Sequence, residues 1–239
     1  MGSTGASRGI STRAFGKKLW ELTESADSTD FDALRRQMGQ TGLEAGDPRA
    51  RSMDKLYVNT GKSTIINAYL NNGKDFEAAR KADAGWKDLV TERWVKDAIA
   101  KLDRGMAKLP QEVALTRFVD AKALGEMLPG MGIARVSTLI RHLESGKISS
   151  KDFATVLKNA DVGSKGYLST STVADHPSYA DRDVRLNIIA RAGTPAIITK
   201  NTAESEVVLG RGLKQHFTGG FRIIKTSSGK KQLVLDVYV

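Results

Sequence analysis

The sequence predicts an α+β domain over roughly residues 55–239, and three observations lead there. Apolar residues recur at helical spacing through the first two thirds. The last third breaks into short apolar runs bounded by Gly, Pro, Ser or Asp. One earlier run, Val113 to Val119, follows Pro110 and reads as a strand inserted among the helices.

Residues 1–53 are rich in Gly, Ser, Thr and Asp and predict a poorly ordered arm with one short helix, Ala14-Phe15-Gly16-Lys17-Lys18-Leu19-Trp20-Glu21-Leu22. Residues 39–52 carry Gly and Pro at linker density. From Ser63 a helix runs through Thr64-Ile65-Ile66-Asn67-Ala68-Tyr69-Leu70 to a C-cap at Asn71-Asn72-Gly73. Trp86, Leu89, Val90, Trp94, Ile99, Leu102 and Met106 trace the buried stripe of one or two amphipathic helices. Ala134 to Leu143 and Asp152 to Leu157 predict two more, the second with Ser149 or Ser150 as N-cap. The strand-like runs are 166–172, 185–190, 196–199, 206–209, 221–226 and 232–239, and Ser227-Ser228-Gly229-Lys230 forms a hairpin turn between the last two.

Thirty-seven Lys and Arg against 27 Asp and Glu give a formal charge of +10, which suits an anionic partner or a solubilising surface. With no Cys, disulfides and a Cys nucleophile are excluded. No uncharged run approaches the roughly 18 apolar residues of a membrane span, so no membrane association is expected. The start, MGSTGASRGIST, has no apolar core of a standard secretory signal.

Several motifs fail on spacing. Gly61-Lys62-Ser63-Thr64 resembles the end of a phosphate-binding loop, but Leu56 stands where its first glycine is needed, so a helix start capped by Ser63 is expected. Gly130-Met131-Gly132 follows no strand. His142, His176 and His216 are isolated, so no metal site is expected.

Three features remain. Arg117 lies on the apolar strand 113–119, where a cation is costly without an anionic partner. Gly166-Tyr167-Leu168-Ser169-Thr170-Ser171 is a strand with a hydroxylated stretch. In Ala203-Glu204-Ser205-Glu206-Val207-Val208-Leu209 two carboxylates stand two apart, which on a continuous strand would place them on one side.

Arg, then aromatic-x-Ser-Thr-Ser, then Glu-x-Glu before an apolar strand resembles the R-S-E class of mono-ADP-ribosyltransferases, which includes bacterial toxins and enzymes of T-even-like phages. The Ile65 to Leu70 helix, Gly193-Thr194-Pro195-Ala196 and Glu206-Val207-Val208-Leu209-Gly210-Arg211-Gly212 are similar too. The likeness spans roughly 60–239 and leaves 1–53 outside, dividing the chain into an arm and a catalytic domain over 54–239.

The resemblance implies a helical part packed on a mixed, mainly antiparallel two-sheet core. It implies NAD as co-substrate, no metal, and transfer of ADP-ribose from NAD to a nucleophile with release of nicotinamide. Glu206 would stabilise the ribose cation and Ser169 would hold Glu206 and the ribose. Thr170 and Ser171 would support the pocket, and Arg117 would neutralise the pyrophosphate. Glu204 would orient the acceptor, and a Glu at that place accompanies arginine acceptors. Gly166, Tyr167, Tyr179 and Arg182 would line the cofactor site, the last two by spacing alone.

This sequence departs from the family at two points: residues 199–203 contain no aromatic side chain, and Gly166 stands where many relatives carry Asn. The expected partner is a protein arginine of a bacterial host, met by a monomer in the host cytoplasm after delivery from a phage particle or as an effector. Arg211, Lys214, Arg222, Lys225, Lys230 and Lys231, in a stretch free of acids, motivate a second reading with a nucleic-acid or RNA acceptor. A third is a basic binding or virion protein on an inactive scaffold.

Overall fold

Nine strands follow the order β1-β6-β7-β4-β2-β5-β9-β8-β3 in the computed structural model, which describes residues 28–38, 57, 62–82, 90–160, 162–173, 179, 182–199 and 204–239. They are β1 (Ala107–Lys108), β2 (Val113–Val119), β3 (Val162–Ser164), β4 (Leu168–Ser171), β5 (Val184–Ala190), β6 (Pro195–Ile198), β7 (Glu206–Leu209), β8 (Leu213–Lys225) and β9 (Lys231–Tyr238). Among the described residues the helices are α1 (Ser28–Gln37), α2 (Ser63–Asn71), α3 (Phe76–Ala82), α4 (Glu92–Gly105), α5 (Ala121–Met127), α6 (Val136–Glu144) and α7 (Ser150–Asn159). The α+β class and the mixed, mainly antiparallel sheet are as expected; β5 and β9 form the one parallel pair among the described strands.

β2 pairs with β5 along all seven residues but meets β4 at a single bridge, Thr116 with Ser171. The strand order therefore consists of two halves, β1-β6-β7-β4 and β2-β5-β9-β8-β3, hinged on one pair. The first half is buried on both faces. Ala196, Ile198, Val207 and Leu209 face one apolar cluster with α1 and α5–α7, and Ile197 and Val208 face another built by α2–α4. Two-sided burial is why 195–198 and 206–209 are apolar runs rather than alternating ones.

The helices obey their sequence signals. Val95, Ala98, Ile99 and Leu102 form the buried stripe of α4, whose N-cap Thr91 accepts the Trp94 N–H. Ser149 is the N-cap of α7, taking the Asp152 N–H at 3.0 Å. At α2 the expected Ser63 cap is absent: Ser63 is already helical, and Lys62 caps without a side-chain bond.

The helix expected at 14–22, the linker at 39–52 and the positions of Trp86, Leu89 and His176 lie outside the described residues. In the N-terminal region α1 buries Phe31 and Leu34, and the turn after it buries Met38, in the main cluster. β8 begins eight residues before the expected run at 221, because a bulge between Phe217 and Phe221 lets one strand continue through Gly219 and Gly220. At Gly220 a Cβ would come within 2.7 Å of Asp236 Oδ2. The bare backbone there leaves room for that buried carboxylate, which accepts two hydrogen bonds from Arg222, at 2.9 and 3.1 Å.

Candidate active site

The seam between the two halves of the sheet gathers the residues singled out above. Arg117, on β2, donates from Nη1 to the Ser169 carbonyl across the seam at 2.7 Å. Its Nε is buried and has no hydrogen-bond partner among the described residues. Burial pulls the guanidinium below its ordinary pKa, with Tyr57 and Glu206 pulling the other way. A cation held out of water with an unanswered donor is suited to an anionic ligand.

The hydroxylated strand divides its labour. Thr170 Oγ1 donates to the Val207 carbonyl at 2.6 Å, tying β4 to β7. Ser171 Oγ donates to the Glu204 carbonyl at 2.6 Å and accepts the Val173 N–H at 2.9 Å. Thr116 Oγ1 adds a bond to the Val173 carbonyl at 2.7 Å. These bonds fix the strand end beside the bridge pair. Ser169 instead lies near the Tyr57 phenol, whose pKa is raised chiefly by burial.

Glu206 opens β7 opposite Ser171 and is only 7% exposed. Its Oε2 accepts from Thr199 Oγ1 at 3.1 Å. Strand alternation does not extend back to Glu204 as the spacing suggests. Ser205 sits at φ 45°, in the left-handed region, so β7 begins after it and Glu204 belongs to a turn. Glu204 Oε1 accepts from the Tyr179 hydroxyl at 2.9 Å. That bond is the main cause of a raised Tyr179 pKa; burial and the charges of Glu204 and Glu206 add to it, and Arg182 opposes it. Arg182 is exposed, and its backbone N–H bonds the Tyr179 carbonyl at 3.0 Å.

Gly166 and Tyr167 precede β4, and their contacts run to Asn67 on α2 and to α4. Tyr167 is 2% exposed and donates from its hydroxyl to Asp103 Oδ1 at 2.7 Å. Arg211 grips the same carboxylate with Nε and Nη2, at 3.0 and 2.7 Å. Asp103, on α4, thereby ties the residue ahead of β4 and the turn after β7 to one helix.

Asn67 was not singled out by its spacing, yet it organises this corner. Its Oδ1 accepts the Tyr167 N–H at 2.9 Å, and its Nδ2 donates to the Tyr57 hydroxyl at 2.8 Å. A Cβ on residue 166 would lie 2.5 Å from Asn67 Oδ1, which accounts for Gly166. The one sequence signal was an amide inside the apolar Ile65 to Leu70 run.

Three solved structures share the fold. Plx2a, an ADP-ribosyltransferase toxin of Paenibacillus larvae, is 17% identical with a TM-score of 0.60, over 89% of this chain and 96% of that one. BECa, the ADP-ribosylating toxin of a C. perfringens binary enterotoxin, solved with NADH, is 15% identical with a TM-score of 0.62; the match covers 89% of this chain and 48% of BECa, about half its length. C3stau2 of S. aureus, solved with NAD, is 16% identical with a TM-score of 0.55, over 89% and 95%. No curated protein matches in sequence.

The fold is thus that of the R-S-E mono-ADP-ribosyltransferases. Residues 48–239 match the family model of the ADP-ribosyltransferase exoenzymes, and the chain belongs to that family, whose chemistry is NAD-dependent ADP-ribosylation.

Proposed function

We propose that the protein transfers ADP-ribose from NAD to arginine side chains of a host-cell protein, with 54–239 as the catalytic unit. The observation that carries this reading is the pairing of a buried Glu206 with Glu204 at the seam where Arg117 keeps an unanswered donor.

Arg117 receives the NAD pyrophosphate, whose charge answers the buried guanidinium. Ser169 holds the nicotinamide ribose, while Thr170 and Ser171 keep the strand end rigid. The bond between ribose C1′ and the nicotinamide nitrogen breaks, its electron pair leaves with nicotinamide, and positive charge develops on the sugar. Glu206 faces that charge from a site largely closed to water, where a fixed carboxylate contributes about 2.7–4 kcal/mol to the transition state. A guanidino nitrogen then bonds C1′ and passes its proton to Glu204. A planar cation matches a carboxylate at that place.

The basic run speaks for a protein rather than a nucleic-acid acceptor. Arg211 pairs with Asp103, Arg222 with Asp236, Lys230 with Asp183 and Lys231 with Glu144. Four of its six named cations are thus already paired with acids from other parts of the chain.

Labelled NAD incubated with agmatine, free cysteine, asparagine peptides and RNA tests the reading. ADP-ribosylagmatine with equimolar nicotinamide is the expected product. Labelling of RNA alone would overturn the arginine assignment.

A further inference from the structure

The end of β6 brings a hydroxyl to the Glu206 carboxylate. β6 and β7 pair as Ala196 with Leu209, Ile197 with Val208 and Ile198 with Val207. Thr199 and Glu206 extend that register by one pair, and the Thr199 N–H bonds the Glu206 carbonyl at 3.1 Å. Side chains of an opposed pair share a face of the sheet. Ile197 and Val208 turn toward the α2–α4 cluster, so Thr199 and Glu206, two residues along each strand, turn the same way. Their side chains meet there, with Thr199 Oγ1 donating to Glu206 Oε2 at 3.1 Å.

Burial gives that bond its weight. Glu206 is 7% exposed and Thr199 is 0% exposed. A carboxylate at the end of an apolar face stays charged only where donors or cations attend it. The neighbouring hydroxyls of β4 have spent their single protons on backbone: Thr170 donates to the Val207 carbonyl and Ser171 to the Glu204 carbonyl. Thr199 supplies the donor that these two do not. Its β-branched side chain is stiff at χ1, so the hydroxyl is a fixed point. A carboxylate held by one oxygen cannot turn about its last bond without breaking the contact.

We propose that Thr199 is a positioning residue for the cleavage of NAD. Its hydroxyl sets the rotation of the Glu206 carboxylate and supports its charge while the sugar cation forms. The residue acts through Glu206, and the proposal rests on the reading that Glu206 faces that cation.

The test measures nicotinamide release, as kcat and KM for NAD, in wild type, Thr199→Val, Thr199→Ser, Thr199→Ala, Glu206→Gln and the double variant Thr199→Val with Glu206→Gln. Urea midpoints are recorded for each. Thr199→Val keeps the branched shape and loses the hydroxyl, so kcat should fall about tenfold while the KM for NAD stays within about twofold. Thr199→Ser keeps the hydroxyl and should remain within about threefold of wild type. Ser and Ala differ at this place by the hydroxyl alone, so Thr199→Ser should exceed Thr199→Ala by about tenfold in kcat, which gives the same comparison without the bulk of Val. Where Gln replaces Glu206 there is no charge left to support, and adding Thr199→Val should cost less than about threefold more.

Equal loss in the Val and Ser variants would make Thr199 a packing residue and overturn the proposal. A raised KM for NAD with kcat unchanged would overturn it too, as would a tenfold loss that persists in the Glu206→Gln background. Glu206→Gln releasing nicotinamide at the wild-type rate would sink the reading of Glu206 first, and the proposal with it.

Discussion

Replacing Gly166 by Ala probes the corner that supports Ser169. The new Cβ would lie 2.5 Å from Asn67 Oδ1 and 3.0 Å from its Cγ, closer than real Cβ contacts allow. Asn67 must turn away and abandon the Tyr167 N–H and the Tyr57 hydroxyl. A buried N–H left without a partner costs about 1–3 kcal/mol and the second bond about 1 kcal/mol, for a total of about 2–4 kcal/mol. In a chain of this length that lowers Tm by about 5–15 °C. Asn67→Ala should cost a similar amount, since it removes the same two bonds. In the Asn67→Ala background only a tight Cβ contact at 3.3 Å remains, which a shift of a few tenths of an ångström relieves, so adding Gly166→Ala should cost less than about 1 kcal/mol. Urea unfolding of the four proteins measures the cycle. Costs that add to within about 0.5 kcal/mol would refute the argument, because they would mean that Gly166 and Asn67 do not meet.

Three further outcomes follow from named contacts. Ser149→Ala removes the cap of α7 and should cost about 1 kcal/mol in urea unfolding. Arg222→Leu leaves Asp236, 2% exposed, without its two guanidinium bonds and should cost about 3–5 kcal/mol. By contrast, Lys231→Ala at the exposed pair with Glu144 should cost less than about 1 kcal/mol, and the two unfolding midpoints compare them directly.

Legibility in the sequence followed the range of the interaction. β2, β7 and α7 were readable to within a residue or two at each end because apolar runs, Pro110 and Ser149 are local signals. The two-residue β1 and three-residue β3 are too short to carry a pattern, and the glycine pair of the bulge read as a break in β8. Arg117, Ser169 and Glu206 could be named from order along the chain, but their common location depends on a seam held by one bridge pair.

The left-handed Ser205 defeated the alternation argument for Glu204, since no residue type there demands that conformation. Asn67 and Tyr57 were invisible as site residues because their partners lie 100 and 110 residues away. The basic run misled for a similar reason: three of its acids, Asp103, Asp183 and Glu144, come from distant elements, and the fourth, Asp236, lies across the β8–β9 hairpin.

The central claim is that Glu206, buried at the seam, carries the cleavage of NAD. Nicotinamide release by Glu206→Gln measures it most directly, because the amide keeps the shape and an acceptor for Thr199 while removing the charge. The account predicts a kcat lower by about 10²–10³-fold, with an unfolding midpoint close to wild type. Nicotinamide release within about threefold of wild type, well short of that range, would contradict it.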